Sequence, residues 1–284
     1  MSRSLAPWTV AALLVAGCAS TKPLAVLATS SAAPVTAAAT ATPAPTPTGP
    51  QTTGATTLDG ESKALFGGTV VTWAKTDATN VIGEVGVTVP AAVIDGAPTD
   101  AAAKAGGVDL LLPERVRKET FLTHVDVGWN PTGHDPAPIY GLPHFDFHFY
   151  NLNALDVAAI DCKDTTTVPA ARIPAGFALL PPPNGICVPM MGIHASDLTS
   201  PELAQTNPAK FTKTMILGYY KGSMTFIEPM FTKEFLQTKA AFTLNVPAPG
   251  ELGKATLLPG SFAGSYDDKT KAYTFVFKGF KAAK

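Results

Sequence analysis

The 284 residues are 46% apolar and 15% charged, with 26 Pro, 24 Gly, 3 Cys and a formal charge of −1. Without a basic excess there is no electrostatic footprint for a phosphate backbone, which excludes nucleic acid as a partner class. No apolar run reaches the roughly 18 residues that a membrane-spanning helix requires, and the length allows one or two domains.

At the N-terminus, Arg3 precedes a short apolar core from Trp8 to Ala16, too short to cross a bilayer as a stable span. Leu14-Val15-Ala16-Gly17-Cys18 then places small residues directly before a cysteine. This resembles a bacterial lipoprotein signal and implies cleavage after residue 17 with a lipid on Cys18. The resulting expectation is residence at the cell envelope, at an outer membrane or cell surface, with the membrane as partner through the anchor. Several acyl chains hold durably where one would not, since each buried CH₂ contributes about 0.8 kcal/mol. A plain secretory signal with an incidental cysteine is the alternative.

Residues 18–57 form the second segment. From Ala19 to Thr57 it is almost wholly Ala, Thr, Pro, Ser and Gly, with Lys22 as its one charge. Such a stretch buries too little apolar surface to offset the entropy of ordering, so a disordered tether is expected. It would span about 35 Å if flexible and up to about 120 Å if polyproline-like.

Residues 58–284 read as a single β-rich domain without internal repeats. Strand signals run through Gly68–Lys75, Gly83–Val89, Phe121–Trp129, His144–Phe149, Thr214–Tyr220, Ser223–Glu228 and Ala272–Phe277, all rich in β-branched or aromatic residues. Lys221-Gly222 is a hairpin-like break. Short helices are expected at Thr99–Ala105, Ser200–Gln205 and Thr232–Lys239, the last with Thr232 as N-cap. Many strands punctuated by Pro and Gly favour a mainly β fold, a sandwich or barrel with a few short helices. With Cys18 lipidated, Cys162 and Cys187 remain, and an even pair in an exported chain reads as a disulfide. It would close a loop of about 25 residues and stabilise by roughly 3 kcal/mol.

All five histidines lie between positions 124 and 194. In His144-Phe145-Asp146-Phe147-His148-Phe149 the polar residues alternate with Phe, so a strand sends His144, Asp146 and His148 to one face and the three Phe to the other. His124 and Asp126 repeat the pattern. Residues i and i+2 of a strand lie roughly 6.6 Å apart and i and i+4 roughly 13 Å. His144 and His148 therefore cannot easily grip one ion across an unbroken strand: either a bulge shortens the span, which Pro143 just upstream would permit, or Asp146 joins just one of them. His194, beside the cysteine pair, and Glu228, at the end of an apolar run, are candidates to complete a site. Imidazole with carboxylate suits Zn, Mn, Fe or Ni. The candidate metal ligands are thus His144, His148, His194 and His124, with Asp146 and Glu228 as candidate catalytic carboxylates. The structural alternative is a set of His–Asp hydrogen bonds. His134 and Asp126 read more simply, as a loop residue and a hydrogen-bonding partner.

The blocks Trp129-Asn130-Pro131, Gly133-His134, Pro143-His144-Phe145-Asp146-Phe147-His148-Phe149-Tyr150, Gly192-Ile193-His194 and Phe226-Ile227-Glu228-Pro229-Met230 resemble a bacterial exported-domain family named after a Thermus protein under extracytoplasmic sigma-factor control. The resemblance spans about Thr120 to Leu236. It implies an exported domain without implying an activity, and it groups His124, His134, His144, His148, His194 and Glu228 as signature positions. The leading expectation is an envelope-anchored lipoprotein with a divalent-metal His/carboxylate site, open to hydrolase or lyase chemistry. The competing expectation is a non-enzymatic structural or ligand-binding envelope protein, with a second copy of the chain as a candidate partner. A carbohydrate-binding module gains little, because only Trp73 and Trp129 remain for stacking once the signal is removed.

Overall fold

A computed structural model describes residues 55–100 and 105–284; the signal, Cys18 and the tether up to residue 54 lie outside the described residues. The β-branched and aromatic runs of the sequence become strands. In chain order these are β1 (Thr57–Leu65), β2 (Gly68–Thr76), β3 (Ile82–Pro90), β4 (Gly106–Leu111), β5 (His124–Asn130), β6 (His144–Tyr150), β7 (Phe177–Leu179), β8 (Cys187–Val188), β9 (Gly192–Asp197), β10 (Lys213–Tyr220), β11 (Ser223–Thr232), β12 (Phe242–Asn245), β13 (Thr256–Leu258), β14 (Ser261–Asp267), β15 (Ala272–Lys278) and β16 (Lys281–Ala283). One sheet has the order β1-β2-β3-β15-β14-β12. A second runs β4-β5-β6-β11-β10-β9-β7, with β8 added to β9, and β13 and β16 form a small third. Every strand pair in these sheets is antiparallel.

The two large sheets pack face to face through phenylalanine. Phe147 of β6 lies 4.9 Å from Phe275 of β15, Phe149 lies 4.8 Å from Phe277, and Phe231 of β11 lies 5.6 Å from Phe275, ring centre to ring centre. These rings are fully buried, and each contributes about 1.5–3 kcal/mol through its burial. The result is a sandwich whose inner face on β6 is Phe145, Phe147 and Phe149. At one end the sheets are also stitched by hydrogen bonds: Thr72 Oγ1 of β2 donates to the Leu111 carbonyl of β4 at 2.7 Å, and Leu111 N donates to Glu61 Oε2 of β1 at 2.8 Å.

Two local expectations resolve cleanly. Lys221 and Gly222 have φ values of +50° and +71°, the pattern of a type I′ turn, and β10 and β11 pair across it. Thr232 caps a short helix, α1 (Lys233–Gln237), its side chain accepting from Phe235 N at 3.1 Å. Two others are corrected. Ser200–Gln205 shortens to a single 3₁₀ turn at Pro201–Leu203. The helix expected at Thr99–Ala105 does not form at Thr99, Asp100 or Ala105, and residues 101–104 lie outside the described residues. Ala97 is extended, as a residue before proline tends to be, and the Pro98 carbonyl is taken by Trp129 Nε1 at 2.8 Å.

The opposite face of the eight-stranded sheet is also covered. The segments between β5 and β6, between β6 and β9, and between β9 and β10 fold over it. There Tyr140, Tyr150, Phe211, Ile216, Phe226 and Met230 form a second, smaller apolar cluster. The Cys162–Cys187 disulfide fastens this cover, with a Cα–Cα separation of 5.6 Å. Consequently every residue of β6 is buried, on both of its faces.

Phe147→Ala removes a ring that touches Phe145, Phe231 and Phe275. It is expected to cost about 3–5 kcal/mol, read as a lowered guanidinium midpoint with an unchanged slope.

Candidate metal centre

Strand register decides which side chains share the covered face. Antiparallel pairing sets His124 opposite Tyr150, Asp126 opposite His148, Gly128 opposite Asp146 and Asn130 opposite His144. Across the other edge of β6, Tyr150 faces Phe226, Asp146 faces Met230 and His144 faces Thr232. Because that register is constant, Glu228 falls beside His148. Further out, Phe226 faces Gly218 and Gly218 faces His194. His124, His144, Asp146, His148, His194 and Glu228 therefore all project from one face, away from the phenylalanine core. None of the residues on this face in β5, β6, β9, β10 or β11 is a lysine or arginine.

The face resolves into two groups. In the first, the ligand atoms of His134, His144 and Asp146 lie within 4.8 Å of one another. His144 Nδ1 lies 2.6 Å from the Leu142 carbonyl, and His134 Nδ1 lies 2.8 Å from the Asp135 carbonyl. A carbonyl oxygen only accepts, so each Nδ1 carries a proton, and in the neutral ring each Nε2 presents a lone pair. Those two Nε2 atoms face a carboxylate: His144 Nε2 is 3.1 Å from Asp146 Oδ1, and His134 Nε2 is 3.4 Å from Asp146 Oδ2. His144 Nε2 and Asp146 Oδ1 are buried and have no hydrogen-bond partner. Asp146 Oδ2 accepts a 2.6 Å hydrogen bond from Asn130 Nδ2, which fixes the carboxylate. Ligands around an ion with bonds near 2.1 Å stand about 3.4 Å apart, so these contacts have the spacing of a coordination shell.

In the second group, the ligand atoms of His148, His194 and Glu228 also lie within 4.8 Å of one another. His148 Nε2 is 3.1 Å from Glu228 Oε1 without forming a hydrogen bond, and both His148 nitrogens and Glu228 Oε2 are buried without partners. His194 reaches this group across Gly218, where the absence of a side chain makes room for the Phe226 ring. A Cβ at position 218 would sit 1.9 Å from Phe226 Cε1. That ring lies edge-on to both imidazoles, 5.0 Å from His148 and 5.4 Å from His194.

Burial governs the electrostatics. It pushes the His148 imidazole down to about 4, with Asp146 opposing and the His194 and His134 rings adding to the fall. Burial likewise takes His194 down to about 4. Both rings are thus neutral near pH 7, as metal ligands must be. Burial pushes Glu228 well above the usual carboxylate range, helped by Asp146 and Asp126. Burial would raise Asp146 too, but its contacts with His134 and His144 overcome that and hold it low. Burial opposes protonation of His134, yet Asp146 raises it. Asp126, half-buried, is pushed up to about 6 by burial and by the Asp109 and Asp146 charges.

The placements differ from the sequence reading in four respects. His134, read as a loop residue, does sit in the loop after β5, but that loop turns back, with His134 N donating to the Tyr140 carbonyl at 3.2 Å, and delivers the ring to Asp146. His124 joins neither group. It lies 3.7 Å from Asp109 and contacts Thr123 Oγ1 at 3.1 Å, and Tyr150 stacks between it and His148. Asp146 and Glu228, considered as catalytic carboxylates, stand where ligands would stand; Asp126 is the nearby carboxylate engaged with neither group. The single pocket expected of His144, His148, His194 and Glu228 divides, with His144 in one group and the other three in the second, because β6 runs without a bulge between His144 and His148. Asn130 and Gly218 were not singled out from sequence, since a second-layer amide and a gap for a ring carry no local signature. Two clefts of about 380 and 330 Å³, one lined by Ser200, Glu202 and Lys213 and the other by Pro143, Lys233 and Gln237, include none of the six grouped residues.

The chain matches no protein family, no curated protein and no solved structure. The functional reading therefore rests on the geometry and the sequence alone.

Gly218→Ala forces a Cβ into the Phe226 ring and is expected to destabilise by about 1–3 kcal/mol. Thermal melting of the variant checks this, with the near-ultraviolet aromatic signal reporting the displaced ring.

Proposed function

We propose that this protein is a metal-binding domain held at the bacterial envelope by a lipid on Cys18, with a divalent ion bound by His134, His144 and Asp146. The observation that carries the reading is the convergence of two imidazoles, each with its Nδ1–H on a backbone carbonyl, on a carboxylate whose Oδ1 is buried without a hydrogen-bond partner. With both rings neutral, their Nε2 lone pairs and the carboxylate repel unless a cation lies among them. The hydrogen bonds from Nδ1–H to carbonyls and from Asn130 to Asp146 are the outer-layer support that metal ligands commonly have. Two imidazoles and a carboxylate suit Zn, Mn, Fe or Ni.

Three protein ligands leave a coordination position free for water, the arrangement of catalytic rather than structural zinc sites. The His134 side chain is 38% exposed, so this position is reached from solvent. Hydrolase or lyase chemistry is then open to the site, with Asp126 as a nearby group able to take a proton. The export signal and the resemblance of the Pro143–Tyr150 block to an exported family support the envelope location.

The competing reading is a metal-free internal network, and the contact that favours it is His134 with Asp146, whose charge would hold a protonated ring. The two readings part on metal content. The full chain without a polyhistidine tag, stripped by chelator and re-exposed to Zn²⁺, is expected to retain ion at this group and to lose it on His134→Ala, by elemental analysis. Binding to the native state alone raises stability, by about 2.7 kcal/mol at a hundredfold excess over Kd. An unchanged melting temperature with no retained ion would overturn the proposal in favour of the network.

A further inference from the structure

We infer that His148, His194 and Glu228 hold a second divalent ion, so that the covered face is a two-ion centre with one open and one enclosed position. The inference rests on reading this face as a metal centre, but its residues are a separate set. His148 is buried with neither nitrogen hydrogen-bonded, and Glu228 is buried with Oε2 likewise without a partner. A buried imidazole N–H left unpaired forfeits a hydrogen bond worth about 0.5–1.5 kcal/mol net and incurs a desolvation penalty of about 1–3 kcal/mol. Here both ring nitrogens and a carboxylate oxygen share that condition in one place. Coordination satisfies them together. The 3.1 Å approach of His148 Nε2 to Glu228 Oε1, outside hydrogen-bond alignment, matches neighbouring ligands on one ion.

A single ion cannot serve both groups. His144 and His148 stand four residues apart on the continuous strand β6, roughly 13 Å, and the ligand atoms that lie within 4.8 Å of one another form two separate sets. Met230 stands opposite Asp146, and Phe226 packs edge-on to His148 and His194, so apolar side chains line the flanks of both positions. Two imidazoles with one glutamate form a ligand set that zinc accepts. The ions differ in access: His134 brings the first to solvent, whereas His148 and Glu228 are almost wholly enclosed.

Metal content separates this inference from the proposed function. Zn²⁺-reconstituted full chain without a tag is expected to hold two equivalents by elemental analysis. His194→Ala and Glu228→Gln should each leave one, His134→Ala should leave one, and His134→Ala with His194→Ala should leave none. Wild-type content of one equivalent, lost on His134→Ala and kept on His194→Ala, overturns the second ion and leaves the first. One equivalent lost on His194→Ala and kept on His134→Ala does the reverse. Should a variant fail to fold by circular dichroism, Co²⁺ titration of the unaltered chain decides. Visible absorption that grows up to two equivalents supports the pair, and saturation at one overturns it.

Discussion

The organising constraint is a central strand with no solvent on either side. β6 lies between β5 and β11 in the eight-stranded sheet, and all seven of its residues are buried. One face satisfies that condition with phenylalanine against phenylalanine, which needs only apolar surface and close packing. The other face carries His144, Asp146, His148 and Tyr150 into an interior that offers few donors. Buried polar groups are ordinarily hydrogen-bonded. The departures from that rule on this face converge on two points rather than scattering, and the proposed chemistry follows from that convergence.

The rest of the molecule is arranged so that the convergence persists. The sandwich core holds β6, and the β5–β6 register puts Asn130 and Gly128 beside the first group. The disulfide holds Cys187 of β8 to the cover, and β8 pairs with β9, the strand that carries His194. Tyr150 adds a further tie, its hydroxyl donating to the Met190 carbonyl at 3.2 Å just before that strand. Phe226 and Met230 exclude water around the buried ligands. The last ligand of each group comes from outside β6 and β11: His134 from a loop and His194 from β9. Completion of the first group therefore depends on the loop between β5 and β6, and completion of the second on the pairing of β9 with β10.

Much of the fold was legible because alternation is a local signal. The Phe and His/Asp sets of β6, the hairpin at Lys221-Gly222 and the cap at Thr232 each follow from a few adjacent residues. The helix expected at Thr99–Ala105 fails at its described ends, where Ala97 before Pro98 is extended and β4 begins at Gly106, while residues 101–104 lie outside the described residues. Site membership was legible in kind but not in partition. That His144 and His148 would separate follows from strand spacing. That His134 would join Asp146 does not, because it depends on the path of a loop whose return is set by a backbone hydrogen bond to Tyr140. His124 was misgrouped for a related reason: its neighbours on the face are fixed by cross-strand pairing, which places the Tyr150 ring between it and His148.

Charge accounting on the covered face separates the two groups. Asp146, Glu228 and Asp126 share the face, and no lysine or arginine on its strands offsets them. Buried anions without counter-charge take up protons, as the raised positions of Glu228 and Asp126 show. Asp146 is the exception, held low by His134 and His144. In a proton network that exception depends on an imidazolium, yet His148 and His194 are held neutral by the same burial that encloses them. The exposed His134 can carry that charge beside Asp146, whereas at the second group Glu228 meets its burial by holding a proton. A divalent ion, as proposed, replaces those protons. It turns the desolvation that penalises these carboxylates into a low-dielectric setting where their attraction to the cation is strongest.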